Sequence, residues 1–595
     1  MERVDFSCVE LTGGFFKEKQ NLIREVTAKA VYDRFCDTGR FEAFKLDKNG
    51  VAPHIFWDSD VAKWIEGVAY LTMEKKEPAL EKIVDDLVLE IEKNQLECGY
   101  FNLHYIYHNK KHFENRDNHE LYCLGHLIEA GVAYYQAAGK RKLLDLMIKY
   151  VDYVEKRFKI DKDTGFTTPG HEEIELALVR LYEVTGDKRH LDLAEFFVNE
   201  RGKRREDPEG YWCGGEYNQS HKEVRAQNSA EGHAVRATYL YCAMADLAKK
   251  TGDVSLKNAC KKLFDSIASK RMYITGSIGS SYQSESFTLD YDLPNLTAYT
   301  ETCASIGLVL FAQRMLLLEN DSKYADVIER AIYNGIMSGI SLDGKGFYYT
   351  NPQELIPVLR ERNHCVYNNN EYFPEPQRRE VFECSCCPPN IVRFIPSIGN
   401  LIYTTDGDKI YIHQFMESKA KFEIGGQSVE IEQKTAYPFD GKIEIAVKGN
   451  ASVYVRVPEW YDSVGGYVEY KCQGVTKISL DYEMKPTLIE ANPRVVDGCG
   501  RCAIMKGPLV YCMEQIDNGK YLRDITIPVN CQFKEGYDKS LCVPTLEVDG
   551  YRRVENGKLY QKYTGEKREI KAKLIPYFAI LNRGTTEMQI WHNVR

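Results

Sequence analysis

Ala138-Gly139-Lys140, Thr185-Gly186-Asp187 and Thr251-Gly252-Asp253 are three versions of one turn, each set between two amphipathic runs. Glycine is the expected stop residue of the first run, and a charged start to the next run follows it. The paired runs are His119 to Ala138 with Lys142 to Phe158, Glu172 to Thr185 with Leu191 to Glu200, and Ala230 to Thr251 with Leu256 to Ala268. Outward from these hairpins the pairing continues. Trp64 to Glu74 with Ala79 to Glu92 come before, and Cys303 to Glu319 with Tyr324 to Ile336 come after. An opening helix near 18–36 and a closing one near 388–402 bring the total to roughly twelve. Six hairpins alternating inside and outside make an (α/α)6 barrel over residues 1–403. A solenoid of helix pairs is the competing arrangement.

The period changes from about residue 404. Lys409 to Phe415, Gln427 to Glu432 and Ser452 to Val457 are β-rich and mostly alternating, with turn residues between them, which is the pattern of a sandwich. The expectation is a first β-sandwich over 404–504 and 571–595, closed by the strand Ile590 to Val594, with a second over 505–570.

Bulk composition narrows the function classes. A chain of 595 residues exceeds one ordinary core. Its net charge of −9 argues against a nucleic-acid surface, which needs a basic excess. No run of about 18 apolar residues predicts a membrane span. The start, Met1-Glu2-Arg3-Val4-Asp5-Phe6, has no apolar core or cleavage pattern, so the expected setting is the cytoplasm. There the 18 cysteines would be free thiols and metal ligands, and a disulfide framework is the minority reading. The 40 Tyr and 25 Phe would suit a sugar-binding protein, although the same residues equally build cores.

In an up-and-down ring, alternate helices begin at one rim. The even-numbered starts read Trp57-Asp58-Ser59-Asp60, Asp117-Asn118-His119-Glu120, Gly170-His171-Glu172-Glu173, Gln227-Asn228 with His233, Thr300-Glu301-Thr302-Cys303, and Cys384-Ser385-Cys386-Cys387-Pro388-Pro389. Odd-numbered starts such as Lys140-Arg141-Lys142 and Asp253-Val254 are ordinary. Capping accounts for the Asp, Asn and Ser residues but not for the histidines and cysteines. Adjacent cysteines close only strained disulfides, and the double proline places them where a helix begins, a position that favours thiolate.

Glu301, Cys303, Cys386 and Cys387 together offer one carboxylate and three sulfurs, a set that Zn²⁺ accepts tetrahedrally. Such a zinc could be a staple between helices, or one thiolate could double as a nucleophile. A sugar-attacking thiolate would need an acid partner. Glu285, in the Gly/Ser-rich loop 276–287, is the candidate, in a loop that could cover substrate; otherwise it is a solvated loop glutamate. His119, His171 and His233 could hydrogen-bond sugar hydroxyls, and each alone would more often be structural.

These residues resemble the β-L-arabinofuranosidases of glycoside hydrolase family 127. The two signatures are Cys384-Ser385-Cys386-Cys387-Pro388-Pro389-Asn390 and Tyr299-Thr300-Glu301-Thr302-Cys303-Ala304. The likeness extends from Thr12-Gly13-Gly14-Phe15-Phe16 through Trp57 to Trp64, His119-Glu120-Leu121-Tyr122, Gly170-His171 and Asp290 to Asn295, as far as Lys506-Gly507-Pro508-Leu509-Val510-Tyr511. The resemblance implies an (α/α)6 catalytic barrel with β-sandwich domains, and retention of anomeric configuration through a cysteine. Cys386 would be the nucleophile and Glu285 the general acid/base. Glu301, Cys303, Cys386 and Cys387 would bind zinc with Cys384 close by, while His119, His171, His233 and Tyr349 would bind the furanose. Ser277 departs from a glycine common in the family, and a non-glycine there could alter the acid/base loop. The expectation is a zinc-dependent exo-glycosidase releasing terminal β-L-arabinofuranose from small carbohydrates or glycopeptides, with β domains offering edges for a homodimer. The alternatives are an enzyme for another β-linked furanoside, an (α/α)6 epimerase or lyase, and a non-catalytic carbohydrate-binding protein stabilised by zinc.

Overall fold

The computed structural model describes residues 1–204, 206, 214–361, 370–554 and 557–595. Six inner helices, Trp57–Glu74, Glu120–Ala138, Ile174–Thr185, Ala234–Thr251, Thr302–Leu318 and Cys387–Phe394, each pack on the next, and the last returns to the first. The helices therefore close a barrel and do not form an open solenoid. Five outer helices, Pro78–Asn94, Lys142–Glu155, Lys188–Glu200, Val254–Lys270 and Ser322–Arg330, alternate with them, and the helical stretch from Gly14 to Asp37 fills the sixth outer place.

Sequence separates the two rings. Trp57–Glu74 is buried continuously from Asp58 to Thr72, as an inner helix enclosed on all sides must be. Its outer partner Pro78–Asn94 buries only Val84, Leu87, Val88 and Ile91, a single stripe at helical spacing. The turns that open the reading behave alike. Gly139, Gly186 and Gly252 have φ of 69°, 70° and 73°, and their N–H groups donate to the carbonyls of Tyr135, Tyr182 and Ala248. The closing helix is shorter than expected and ends at Phe394 rather than near 402. Pro396 has no N–H for the next helical bond, and a separate turn, Ile398–Leu401, follows.

Two five-stranded sheets follow. One is built on Tyr403–Asp406, Lys409–Ile412, Ala451–Arg456 and Tyr467–Cys472; the other runs Val475–Asp481, Lys442–Lys448, Gln427–Thr435 and Ser418–Ile424. They face each other, with Tyr403 of one against Phe422 of the other at 5.4 Å between ring centres. The strand Ser418–Ile424 alternates strictly between buried and exposed, as a half-covered sheet should. Glu2–Arg3 and Val9–Leu11 each add an edge strand. The N-terminus thus belongs partly to the sandwich, which strands of two and three residues are too short to announce by period.

The last β unit corrects the expected division. Lys567–Pro576 pairs with Val543–Arg553 over eight residue pairs, and His592–Val594 pairs with Ile525–Ile527 and Arg501–Lys506. Segment 571–595 therefore does not close the first sandwich, and a boundary at 571 would cut a strand. From Pro486 onward the strands make one sheet in which six close a circuit, and Glu354–Leu355 of the barrel joins its edge. Asn334 welds this unit to the barrel, donating to Pro508 O (2.9 Å) and accepting from Val510 N (2.8 Å). No described helix is long and apolar enough to cross a membrane, and the described cysteines are free thiols.

A buried arginine ties the sandwich to the outer helix Ser322–Arg330. Arg456 is fully buried, donates to His413 O (2.6 Å) and Asp326 Oδ1 (2.5 Å), and pairs with Glu329. Removing one member of a buried pair leaves an uncompensated charge, so Arg456→Ala should destabilise by about 3–5 kcal/mol. Chemical denaturation should show the loss, and an unchanged midpoint would mean that the joint is held by packing alone.

Candidate active site

The N-terminal ends of the inner helices gather at one rim. Glu301 is the N-cap of Thr302–Leu318, and Cys386 that of Cys387–Phe394. Cys303 is the second residue of the one helix and Cys387 the first of the other. Cys303 Sγ lies 3.6 Å from Cys386 Sγ and 3.4 Å from Cys387 Sγ, and the latter two sulfurs are 3.7 Å apart. Glu301 Oε1 is 3.6 Å from Cys386 Sγ and 3.8 Å from Cys387 Sγ. Zn–S bonds of about 2.3 Å and Zn–O bonds of about 2.0 Å separate tetrahedral donors by about 3.8 Å (S···S) and about 3.5 Å (S···O). The donor edges thus have the size of a tetrahedral ion site. The set is buried, and Glu301 Oε2 finds no hydrogen-bond partner. The residues fit the ion.

The four are not equivalent. Burial pushes the Cys303 and Cys387 thiols and the Glu301 carboxyl up. Cys386 is held well below the usual thiol range by hydrogen bonds from Cys303, Cys384 and Cys387, with the Lys63 ammonium nearby. Cys386 also keeps 8% of its surface exposed, against 2% for Cys303 and none for Cys387. The sulfur whose thiolate form is favoured is also the least buried of the three.

Glu285 stands beside this cluster. One donor atom each of His233, Glu285 and Glu301 lie within 4.8 Å of one another. His233 caps Ala234–Thr251 by accepting at Nδ1 from Val235 N (3.2 Å). A neutral ring then carries its proton on Nε2, which lies 3.0 Å from Glu285 Oε2. Tyr349 Oη donates to the same oxygen at 3.5 Å. Tyr349 is placed by the backbone around Glu301: Thr302 N donates to Tyr349 O (2.9 Å) and Asn351 N to Thr300 O (3.1 Å).

The Glu285 loop is less free than its Gly/Ser content implies. Thr300 N donates to Gly279 O (2.8 Å), Phe287 N to Gly232 O (2.9 Å), and Ser280 and Ser281 both donate to Ser286 O. These bonds hold the loop as a wall rather than as a loose cover. Ser284 and Glu285 take φ of 62° and 50°, a conformation disfavoured for residues with a Cβ and kept where the surroundings enforce it.

The three histidines form a row, with ring centres 5.7 Å apart for His119–His171 and 5.6 Å for His171–His233. Burial, reinforced by the Arg236 guanidinium, holds His119 and His171 far below the usual imidazole range. They are neutral groups able to both donate and accept, as hydroxyl recognition requires. His119 Nδ1 is buried without a protein partner. Two members of the site escaped sequence reasoning. The Tyr122 ring meets that of His171 at a tilt, with centres 4.1 Å apart, and its hydroxyl accepts from Lys63 Nζ at 2.9 Å; Lys63 is almost fully buried. The signal was available in a lysine set inside the apolar run Val61 to Leu71, and in a tyrosine three residues after His119.

Comparison with known proteins identifies the family. The profile described as the β-L-arabinofuranosidase GH127 catalytic domain matches residues 8–400. Those for the GH127 middle domain and the family 127 C-terminal domain match 409–483 and 486–593. The chain belongs to glycoside hydrolase family 127. A non-reducing end β-L-arabinofuranosidase from Bifidobacterium longum subsp. longum is 34% identical over 90% of this chain and 89% of that protein. The crystal structure of a GH127 β-L-arabinofuranosidase from Geobacillus stearothermophilus T6 superposes with a TM-score of 0.93 at 39% identity, covering 99% of this chain and all of that one. A second GH127 β-arabinofuranosidase structure gives a TM-score of 0.88 at 33% identity, covering 100% and 98%.

Ser277, expected to replace a glycine common in the family, sits outside the left-handed region. The positive angles nearest to it fall on glycines, Gly276 (φ 75°) and Gly279 (φ 92°). Ser277→Gly should therefore change glycosidase kcat/KM by less than about three-fold. Gly276→Ala would set a Cβ 2.6 Å from Ala331 Cα and should destabilise by about 1–3 kcal/mol in thermal unfolding. Equal tolerance at both positions would contradict this reading of the loop.

Proposed function

We propose that this chain is a zinc-dependent retaining exo-glycosidase that releases terminal β-L-arabinofuranose from oligosaccharides or glycopeptides. One observation carries the reading: the Cys386 sulfur, packed against Cys303, Cys387 and Glu301 and the least buried of the three sulfurs, stands on the same rim as Glu285, whose carboxyl is contacted by His233 and Tyr349. The histidine row offers buried hydrogen-bonding partners for a furanose ring, which supports an enclosed terminal residue over an internal one. The named activity of the relatives supports arabinofuranose over other β-linked furanosides. A reducing cytoplasm suits the free buried thiols.

Glu301, Cys303, Cys386 and Cys387 would hold the ion. Zinc bound there would keep sulfur ionised at neutral pH and moderate its basicity. In the first step Cys386 Sγ attacks the anomeric carbon, the bond to the leaving oxygen breaks, and Glu285 gives that oxygen its proton. A thioglycosyl enzyme results. In the second step Glu285 takes a proton from water, whose oxygen attacks the same carbon as Cys386 leaves as thiolate. Two inversions retain the β configuration. Tyr349 and His233 hold the Glu285 carboxylate toward the cleft throughout.

Elemental analysis should find one zinc per chain, lost in Cys303→Ala and kept in Glu285→Gln. On aryl β-L-arabinofuranosides Cys386→Ala should lower kcat by more than about 10³-fold. Wild-type enzyme quenched during turnover should carry a pentosyl group on the Cys386 peptide. Glu285→Gln should slow poor leaving groups far more than good ones. Near-normal turnover by Cys386→Ala would sink the nucleophile assignment, and sugar binding without turnover would make the chain a binding protein.

A further inference from the structure

The barrel and the last β unit leave a cavity of about 210 Å³ between them, and no residue of the catalytic rim lines it. A single buried water needs about 10–15 Å³, so this is space for a ligand. The barrel contributes Lys270 and Tyr273, the loop after Phe287 contributes Tyr291 and Asn295, and the β unit contributes Glu490 and Trp591. The walls are fixed by their own bonds. Tyr291 N donates to Lys270 O (3.0 Å), Tyr273 Oη to Pro294 O (3.0 Å) and Asn295 N to Asp497 Oδ2 (2.7 Å). Arg494, which is not part of the lining, stands 3.9 Å from the centre of the Tyr291 ring.

Two polar groups in this wall lack what buried polar groups require. Asn295 is 3% exposed and Trp591 8%. Among the described residues neither the Asn295 side-chain amide nor Trp591 Nε1–H has a hydrogen-bond partner. Buried amides and indoles are normally paired, so the missing partners belong to the contents of the cavity. An amide donates and accepts and an indole N–H donates, a set that hydroxyl groups satisfy. Charge narrows the choice. Lys270 Nζ lies 2.9 Å from Asp290 Oδ2, and Arg330 Nη2, also in the wall, 3.9 Å from Glu459 Oε2. The two cations oppose a cationic ligand, while their paired carboxylates and Glu490 oppose an anionic one. Tyrosine rings beside such donors suit a molecule with C–H faces.

We propose that this cavity is a non-catalytic binding site for one neutral sugar ring, with Tyr291 against its C–H face and the Asn295 amide and Trp591 Nε1–H on its hydroxyls. Recognition here is separate from the hydrolytic step and holds whichever glycoside the rim cleaves.

The test titrates the full chain calorimetrically with methyl β-D-galactopyranoside and methyl β-D-xylopyranoside, and with galacturonate as the charged comparison. At least one methyl glycoside should bind saturably. His171→Ala, at the catalytic rim, should leave that affinity within about two-fold. Tyr291→Ala, and Trp591→Phe, which keeps a ring and removes the N–H, should each weaken it at least about five-fold. Thermal midpoints report folding, and if Tyr291→Ala lowers its midpoint the milder Trp591→Phe decides. Galacturonate should bind at least about five-fold more weakly than the tighter methyl glycoside. Absence of binding by both methyl glycosides, or a loss confined to His171→Ala, overturns the site. Galacturonate binding as tightly as the methyl glycosides overturns the assignment to neutral sugars.

Discussion

Everything at the rim depends on how closely the last inner helix meets the first. Gly67 lies against Val392 so tightly that a Cβ on it would stand 2.6 Å from Val392 Cγ1 and 2.8 Å from the Val392 carbonyl oxygen. No other side chain fits that contact. The neighbouring residues lock it electrostatically, since Arg393 donates to Glu66 Oε2 (2.8 Å), Tyr239 Oη (3.1 Å) and Asn390 Oδ1 (2.7 Å). Arg180 reaches the same Glu66 and also Glu129. Because this network is buried, its members are satisfied only when the ring is closed. Closing the ring seats Cys387–Phe394 between the fifth inner helix and the first, and that seating carries Cys386 and Cys387 to Cys303.

A closed ring of parallel inner helices also sets where strain can be useful. His119, Ser284, Glu285 and Thr300 all have positive φ, at 61°, 62°, 50° and 43°. None is glycine, and all lie at the rim, in or beside the acid loop, the histidine row and the Glu301 start. Such angles cost of order 1–3 kcal/mol each. The barrel beneath is well enough packed to impose them. What the strained positions achieve is direction: side chains that would otherwise follow their helices or loop are turned into the cleft.

Much of this was legible in the chain. Helix pairs with Gly-led turns announce the barrel because their period is long and repeated. The loud helix starts announce the rim because acid, imidazole and thiol groups have no capping reason to gather there. The last β unit was misdivided for a physical reason. Pairing between Arg501–Lys506 and His592–Val594 spans about ninety residues of chain, and strand period reports which residues lie in strands but not which strands are partners. The two- and three-residue edge strands at the N-terminus have no period at all. For Lys63 and Tyr122 the sequence carries only a weak signal, a lysine inside an apolar run and a tyrosine one turn after His119, and neither tells which neighbours they meet. The value of Lys63 lies in standing near Cys386 and donating to Tyr122, a relation between separate helices.

The cluster and the acid are not independent pieces of machinery. Glu301 supplies a carboxylate to the sulfur cluster, and the chain beside it, through Thr302 N and Thr300 O, pairs with the segment that carries Tyr349. Tyr349 in turn donates to Glu285, whose loop is anchored to Thr300 through Gly279. One helix start therefore positions a donor of the cluster, the hydroxyl on the acid and the edge of the acid's loop. A displacement of that start would move Cys386's neighbour and Glu285's neighbour together, so the distance between sulfur and carboxylate changes less than either position. In the proposed reaction, bond making at carbon and proton transfer at oxygen would occur on one sugar at once, and this backbone segment is the element that would keep the two in register.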